Sequence, residues 1–165
     1  IIEEHIDALL SKLKEMGVPL EVNDNSLTIN KPDSFKPINV KTLVFPGFAT
    51  DLGQPMSVLL TQADGMSIFE ETIYENRMGH IKYLQKMGAN IRVNDRTAII
   101  VGKTPLKGEE VTATDLRAGA AMVIAGLIAS GTTVVNEIDH ILRGYENIVE
   151  KLSGVGAKIS VVERE

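Results

Sequence analysis

The chain has 165 residues, of which 44% are hydrophobic and 24% charged, and its net charge is −5. This composition is that of a folded globular protein, and the length suits one domain with a buried core. The acidic balance and the 4% aromatic content argue against a nucleic-acid-binding surface. The absence of cysteine excludes disulfides and thiolate metal sites and fits a reducing compartment. The longest apolar run, residues 118–129, is too short to span a bilayer.

Helical and strand patterns alternate along the chain. In chain order, apolar spacing and turn residues predict a helix (2–16), two strands of a hairpin (20–22, 27–29), a strand (41–45), a helix (52–63), a strand (67–74), a helix (79–87), two strands (91–93, 97–101), a helix (116–129), a strand (132–138), a helix (145–152) and a strand (157–162). Because the helix over residues 116–129 is apolar nearly all round, we expect it to be buried.

The predicted elements repeat. The segment TDL at 50–52 recurs at 114–116, Gly65 recurs as Gly131, and an arginine follows each of these glycines after twelve residues, as Arg77 and Arg143. Residues 5–29 match only the second half of this unit. The chain is therefore predicted to be a single α/β (α+β) domain, residues 1–165, with repeat units at about 1–32, 40–102 and 108–165. The partial first copy and the start without Met lead us to expect a piece of a longer protein.

Two aspartates, Asp51 and Asp115, hold the same position of the repeat, each before a helix. Either could be an N-cap that accepts hydrogen bonds from free backbone N–H groups. Capping is favoured at Asp115, since Leu116 can enter a helix at once. At Asp51 the following Pro55 suits the first helical position. That placement leaves Asp51 a turn upstream, where a carboxylate can face a ligand as a base or hydroxyl acceptor.

Three arginines lie at junctions between predicted elements: Arg77, Arg117 and Arg143. One interpretation is structural, with each guanidinium capping carbonyl groups or pairing with a nearby acid such as Glu75 or Glu146. The other is functional, because the planar guanidinium binds phosphate or carboxylate through two parallel hydrogen bonds. Three such groups at equivalent ends of a repeat could converge on one anionic ligand.

For the histidines and for two serines, the sequence pattern indicates structural roles. The three histidines show no metal-ligand spacing, so no metal site is predicted, and the equivalent positions of His5 and His80 at helix starts indicate structural roles. Ser57 and Ser67 have no paired histidine that the sequence reveals, so a hydrolase triad has no support.

Five motifs resemble the enolpyruvyl transferases: residues 46–52 (PGFATDL), 71–77 (ETIYENR), 86–91 (KMGANI), 114–118 (TDLRA) and 143–146 (RGYE). They occur in the family's order and cover essentially the whole chain, which makes the resemblance specific. It implies two domains, each built of three repeated units as an inside-out α/β barrel, with the active site in the cleft between them. This chain resembles most of the domain built from the C-terminal part.

The motifs are most similar to the family members that act on UDP-N-acetylglucosamine. By that resemblance, Asp51 holds the 3-hydroxyl of the amino sugar and serves as the base. Ile73 supplies a backbone contact to the sugar nucleotide, and Arg143 contacts the phosphate or carboxylate of phosphoenolpyruvate. Three more substrate-binding residues are assigned to the cleft: Arg77, Asp115 and Arg117.

The reaction implied is transfer of enolpyruvyl from phosphoenolpyruvate to the 3-hydroxyl of UDP-N-acetylglucosamine with release of phosphate, the first committed step of peptidoglycan synthesis in the bacterial cytoplasm. It implies no metal, cofactor, nucleic acid or membrane. The proton donor, a cysteine or aspartate, lies on a loop of the other domain, so the expected partner is the missing N-terminal part of the enzyme. The chain alone is expected to be inactive. Two alternatives stay open, the shikimate-pathway enolpyruvyl transferase and a non-catalytic binding domain of the same fold.

Overall fold

The structure is a computed structural model that describes residues 1–163; the last two residues of the third predicted repeat unit lie outside it. Its α-helices are α1 (Asp7–Glu15), α2 (Gly53–Leu60), α3 (Ile81–Lys86), α4 (Leu116–Ile128), α5 (Asp139–Gly144) and α6 (Ile148–Gly154). Its strands are β1 (Leu20–Asn23), β2 (Ser26–Ile29), β3 (Asn39–Lys41), β4 (Met66–Glu70), β5 (Asn90–Asn94), β6 (Thr97–Val101), β7 (Glu110–Thr112) and β8 (Val134–Asn136). Over residues 1–163, no helix combines the length and the apolar character needed to cross a membrane.

The strands form three small sheets that follow the repeat. The hairpin β1-β2 stands alone, a mixed sheet has the order β3-β4-β6-β5, and β7 pairs with β8. Helix α2 connects the parallel pair β3-β4, and α4 connects the parallel pair β7-β8, as parallel strands require a crossover connection. After each of α1 and α3 the chain forms an antiparallel hairpin. The alternation of helices and strands predicted from the sequence is therefore present.

Three glycines end corresponding helices of the repeat in the same way. Gly17, Gly88 and Gly156 have φ angles of +86°, +101° and +98°. In each case the glycine N–H bonds the carbonyl three residues earlier, and the next N–H bonds the carbonyl five residues earlier. This is the Schellman arrangement, which needs a left-handed residue and so favours glycine. The same helix ending thus occurs three times, at the glycines that the sequence copies share.

The helices lie inside and the mixed sheet lies outside. α2 packs against α4 and buries six of its eight residues. The facing side of the sheet contributes Val40, Phe69 and Ile100 to the core, while alternate residues of β4 remain exposed. Gly53 allows this close packing, because a Cβ atom there would lie 2.6 Å from the Phe69 ring. This arrangement agrees with the inside-out α/β barrel that the family resemblance implies.

One face of α4 contradicts the prediction of a helix buried all round. Ala118, Ala121 and Met122 are fully buried. On the opposite face Ile124, Leu127 and Ile128 are 39%, 43% and 48% exposed. Their spacing places them on one stripe of the helix, and no element within residues 1–163 covers that stripe enough to bury it.

The third repeat unit departs most from prediction. The helix predicted over residues 145–152 is α6, which begins at Ile148, while α5 was not predicted; Asn147 lies between the two helices with a φ of +50°. The strand predicted over 157–162 is wrong, since that segment has no regular structure. In the earlier units the equivalent strand pairs with a second strand of a hairpin, and residues up to 163 offer none. The short strand β7 was not predicted.

Candidate active site

Asp51 lies in a short turn that leads into α2. Residues Thr50–Leu52 form one 3-10 turn, and α2 follows directly at Gly53. The N-cap of α2 is Leu52, with no side-chain capping bond. The carboxylate of Asp51 is therefore not used as a helix cap, as predicted. Pro55, predicted at the first helical position, is the third residue of the helix, where its missing N–H would have no intrahelical acceptor either.

Two arginines hold the Asp51 carboxylate. Arg117 Nη2 lies 2.5 Å from Asp51 Oδ2, and Arg77 Nη1 lies 3.1 Å from Oδ1. The Asp51 side chain is nevertheless 48% exposed. The structure thus brings together three of the six predicted site residues from three elements. We refer to Asp51, Arg77 and Arg117 as the carboxylate cluster.

The cluster shifts the ionisation of its members. The pKa of Asp51 is lowered, chiefly by the hydrogen bond from Arg117, against the opposing effect of burial and with a smaller contribution from Arg77. The pKa of Arg117 is raised, mainly by the same bond. At neutral pH one carboxylate between two guanidinium groups leaves a local charge of about +1. Such a surface attracts anionic ligands, and the ionised carboxylate accepts hydrogen bonds.

Asp115 caps α4. Its Oδ1 accepts from the backbone N–H groups of Arg117 and Ala118 at 2.8 Å and 2.9 Å. The capping alternative therefore describes Asp115 in this structure. By fixing the first turn of α4, the cap also holds the Arg117 backbone where the guanidinium can reach Asp51. Contact of Asp115 with a ligand remains a prediction.

Arg143 is not part of the carboxylate cluster. It lies in the last turn of α5, where its Nε donates to the carbonyl of Asp139 at 3.3 Å and its Nη2 lies 3.4 Å from Nδ1 of His140. The suggested pairings with Glu75 and Glu146 are not formed by these arginines, since Glu75 pairs with Arg96 and Glu146 with Lys151. Of the three arginines that could converge on one ligand, Arg77 and Arg117 therefore meet at Asp51, whereas Arg143 contacts residues of its own helix.

The loop after β4 carries Ile73, the predicted backbone contact. The Ile73 N–H donates to Glu71 Oε1 at 2.8 Å, and its side chain is partly exposed. Residues 73–77 line a shallow, open depression of about 440 Å³. In it, Arg77 stacks on the Tyr74 ring with 4.2 Å between the guanidinium carbon and the ring centroid. The depression therefore adjoins the carboxylate cluster through Arg77.

Glu71 was missed by the sequence reasoning as an individual site residue. It is only 2% exposed, yet it receives hydrogen bonds from two threonine hydroxyls and two backbone N–H groups. A buried carboxylate of this kind needs donors from distant segments, so composition and spacing do not reveal it. The only sequence signal was its place in the motif at 71–77.

Ser57 does have a histidine partner, contrary to the sequence reasoning. Its Oγ lies 2.7 Å from His80 Nε2 and 2.6 Å from the Gln54 carbonyl oxygen. Both Ser57 and His80 are fully buried, and burial lowers the pKa of His80 to about 4. The pair has no access to a substrate, so it serves the core, as predicted for His80. The described residues also contain no group of three or more His, Cys, Asp or Glu side chains suited to a metal ion.

The family model for EPSP synthase (3-phosphoshikimate 1-carboxyvinyltransferase) matches residues 2–152. This match covers most of the chain and includes every residue of the candidate site. The chain belongs to the EPSP synthase family. The enolpyruvyl transferase resemblance drawn from the five motifs is thereby confirmed.

Curated relatives match almost the whole chain. A protein of Listeria monocytogenes is 47% identical over 160 residues, and one of Bacillus cereus is 50% identical over 159 residues. Both are named UDP-N-acetylglucosamine 1-carboxyvinyltransferase 2. The alignments cover 97% and 96% of this chain but only 38% and 37% of those proteins. The chain thus spans well under half the length of the relatives it matches.

Solved structures of two enzymes confirm the fold class. The enolpyruvyl transferase NikO from Streptomyces tendae superposes with a TM-score of 0.87 at 28% identity, over 94% of this chain and 36% of NikO. EPSP synthase from Acinetobacter baumannii matches with a TM-score of 0.57 at 21% identity, over 78% of this chain and 31% of that enzyme. The second match concerns the fold alone.

Proposed function

We propose that this chain is part of an enzyme that transfers enolpyruvyl from phosphoenolpyruvate to the 3-hydroxyl of UDP-N-acetylglucosamine, with release of phosphate. The observation that carries the proposal is the carboxylate cluster, in which a half-exposed carboxylate stands between two guanidinium groups. A sugar hydroxyl needs an acceptor, and the phosphate and carboxylate groups of the substrates need cations. The name of the relatives at 44–50% identity supports this pair of substrates.

In the proposed reaction the sugar oxygen adds to C2 of phosphoenolpyruvate while C3 gains a proton, which gives a tetrahedral intermediate. Loss of phosphate from C2 and of a proton from C3 then restores the double bond. Asp51 orients the hydroxyl and takes its proton, and Ile73 contacts the sugar nucleotide through its backbone. Arg143 binds an anionic group of phosphoenolpyruvate. The proton donor to C3 belongs to the other domain.

The ionisation of Asp51 suggests how the base is activated. General bases act best with a pKa near the working pH, whereas Arg117 and Arg77 lower the pKa of Asp51. Anionic groups of the substrates would compete for the same guanidinium groups. As a guanidinium turns toward the substrate, Asp51 loses that cationic partner and its pKa rises. Arg77 and Arg117 therefore both bind the substrates and control when Asp51 becomes a stronger base. Asp115 acts indirectly, by capping the first turn of α4 that carries Arg117.

The proposed partner is the N-terminal part of the same enzyme. Because the chain spans 37–38% of its curated relatives, most of such an enzyme lies outside it. The exposed face of α4, formed by Ile124, Leu127 and Ile128, is an apolar surface that this additional chain would cover. The chain alone is then inactive, with half of the cleft absent. The role would be peptidoglycan synthesis in the bacterial cytoplasm, and with it cell division and cell shape.

The test uses the complete protein encoded by the reading frame that carries this sequence. Phosphate release is measured with phosphoenolpyruvate and either UDP-N-acetylglucosamine or shikimate 3-phosphate. We expect turnover with the sugar nucleotide only, and a loss of about 100-fold or more in kcat/KM for Asp51→Asn. Asp24→Asn, in the exposed turn between β1 and β2, is the control and should retain activity. Turnover of shikimate 3-phosphate alone, or a fully active Asp51→Asn variant, would contradict the proposal, and binding without turnover would favour the non-catalytic alternative.

A further inference from the structure

The buried carboxylate of Glu71 is bonded through both of its oxygens. Oε1 accepts from the Thr42 hydroxyl at 2.9 Å, from the Ile73 N–H at 2.8 Å and from the Tyr74 N–H at 3.1 Å. Oε2 accepts from the Thr50 hydroxyl at 2.7 Å. Burial raises the pKa of Glu71, but the hydrogen bonds from Thr50 and the backbone outweigh that effect, so the pKa is lowered. The group is therefore ionised and can only accept hydrogen bonds.

The direction of the hydrogen bonds continues from Glu71 to the carboxylate cluster. Because Glu71 only accepts, the single hydroxyl proton of Thr50 points toward Glu71. The Thr50 oxygen then presents its lone pairs to Arg77, whose Nη1 lies 2.9 Å away. The same nitrogen donates its other proton to Asp51 at 3.1 Å. Arg77 Nη1 is thus oriented by a fixed sequence of donors and acceptors that begins at Glu71.

Glu71 also connects three separate backbone segments. Thr42 follows β3, Thr50 begins the turn that carries Asp51, and Ile73 lies in the loop after β4. A second bond joins two of them, from the Thr72 N–H to the Thr42 hydroxyl at 2.8 Å. One of these segments bears Asp51, the proposed acceptor for the sugar hydroxyl, and another bears Ile73, the proposed sugar-nucleotide contact. Both are therefore bonded to the Glu71 side chain.

We propose that Glu71 and Thr50 are positioning residues that hold Asp51, Arg77 and Ile73 in register for the sugar-nucleotide substrate. This inference rests on the proposed function. Neither residue touches the substrate; Glu71 acts through Thr50 and the loop N–H groups, and Thr50 acts through Arg77. A site that must hold several groups in fixed geometry requires such support from surrounding hydrogen bonds.

Three substitutions in the complete protein separate positioning from general stability. Thr50→Val removes the hydroxyl while keeping the shape of the side chain, and Glu71→Gln replaces the obligate acceptor. Thr50→Ser keeps the hydroxyl and serves as the rescue variant. The matched control is Ser67→Ala on β4, because the buried Ser67 hydroxyl accepts from the Ile38 N–H at 3.2 Å and its loss also costs one buried hydrogen bond.

We expect Thr50→Val and Glu71→Gln to raise KM for UDP-N-acetylglucosamine and to lower kcat/KM by about tenfold or more. KM for phosphoenolpyruvate should change by less than about twofold. Thr50→Ser should restore most of the activity, while Ser67→Ala should lower the thermal midpoint without changing the kinetics. The inference is overturned if Thr50→Val and Glu71→Gln match wild type, or if Ser67→Ala impairs the kinetics to the same extent.

A second readout does not depend on activity. Nitrogen-15 NMR of the Arg77 guanidinium, assigned with Arg77→Lys, reports rotation about its Cζ–Nη bonds. Rotation should be hindered in wild type and in Ser67→Ala, and faster in Thr50→Val and Glu71→Gln. If wild type shows no turnover with the sugar nucleotide, the proposed function fails, and this measurement still decides whether Glu71 and Thr50 hold Arg77. Unchanged rotation in both variants would refute the positioning role.

Discussion

Protonation of His80 is expected to destabilise the fold as the pH falls below neutrality. The imidazole is 0% exposed, and burial lowers its pKa from 6.5 to about 4. Between these two values the unfolded state binds more protons than the folded state, so stability falls as the pH falls. From about pH 7 to about pH 5, this difference corresponds to a loss of about 2 kcal/mol in the free energy of unfolding.

Urea denaturation at a series of pH values measures this loss, and His80→Gln removes the titrating group. The glutamine amide can still donate to Ser57, so the variant should fold. Its stability should change with pH in this range by about 2 kcal/mol less than that of wild type. His5→Gln is the control, because His5 is exposed, and it should follow the wild-type curve. Parallel curves for wild type and His80→Gln would show that His80 is not held neutral by burial.

Three further predictions concern the helices and the carboxylate cluster. Gly119→Ala places a Cβ atom 2.5 Å from the Ile141 side chain of α5, so we expect a loss of about 1–3 kcal/mol in urea denaturation. Ile124→Asp on the exposed face of α4 should lower the thermal midpoint of the complete protein, where we propose that this face is covered, more than that of the isolated chain. Arg117→Met should raise the pKa of Asp51 in carbon-13 NMR titrations, because the bond from Arg117 is the main cause of its lowered value.

Each of these predictions has a control or an outcome that would contradict it. Gly154→Ala in α6 meets no atom within 4 Å and should leave stability unchanged or slightly higher; an equal loss in both glycine variants would reject the packing argument. Equal losses for Ile124→Asp in the complete protein and in the isolated chain would show that the α4 face stays exposed. In wild type, the lowered pKa of Asp51 stabilises the fold at pH values above the pKa that Asp51 has in the unfolded state. This contribution is lost as the pH falls through the pKa of the folded state, and Arg117→Met reduces it. The variant should therefore lose less stability between neutral and acid pH, and an unmoved Asp51 titration would contradict the pairing.

Local physics explains why much of the fold could be predicted. Helix ends depend on a few neighbouring residues, so Gly17 and Gly88 marked them correctly through their left-handed φ angles. The cap at Asp115 follows equally from the two residues after it. The strand predicted over 157–162 failed because a strand requires a partner, and residues 1–163 contain no segment that pairs with it. Pairing is a property of two segments, and a pattern in one of them cannot supply it.

The candidate site was harder to predict for the same reason. Arg117 stands 66 residues and Arg77 26 residues from Asp51, so no local spacing connects them. The motifs indicated which residues matter, but they did not show that Arg117 and Arg77, rather than Arg143, pair with Asp51. Glu71 was missed for the same reason, because its buried carboxylate depends on donors from several segments of the chain.

The contacts of the two arginines suggest an order of events in the proposed reaction. Arg77 is held from two sides, by Thr50 at 2.9 Å and by the Tyr74 ring at 4.2 Å, so it is the more fixed of the pair. Arg117 is anchored at its backbone by Asp115, and its side chain, 29% exposed against 22% for Arg77, interacts with Tyr145 as well as with Asp51. An arriving anion would therefore displace Arg117 first. Since Arg117 contributes most to the lowered pKa of Asp51, we expect its displacement to make Asp51 a stronger base, while Arg77 keeps the carboxylate in position.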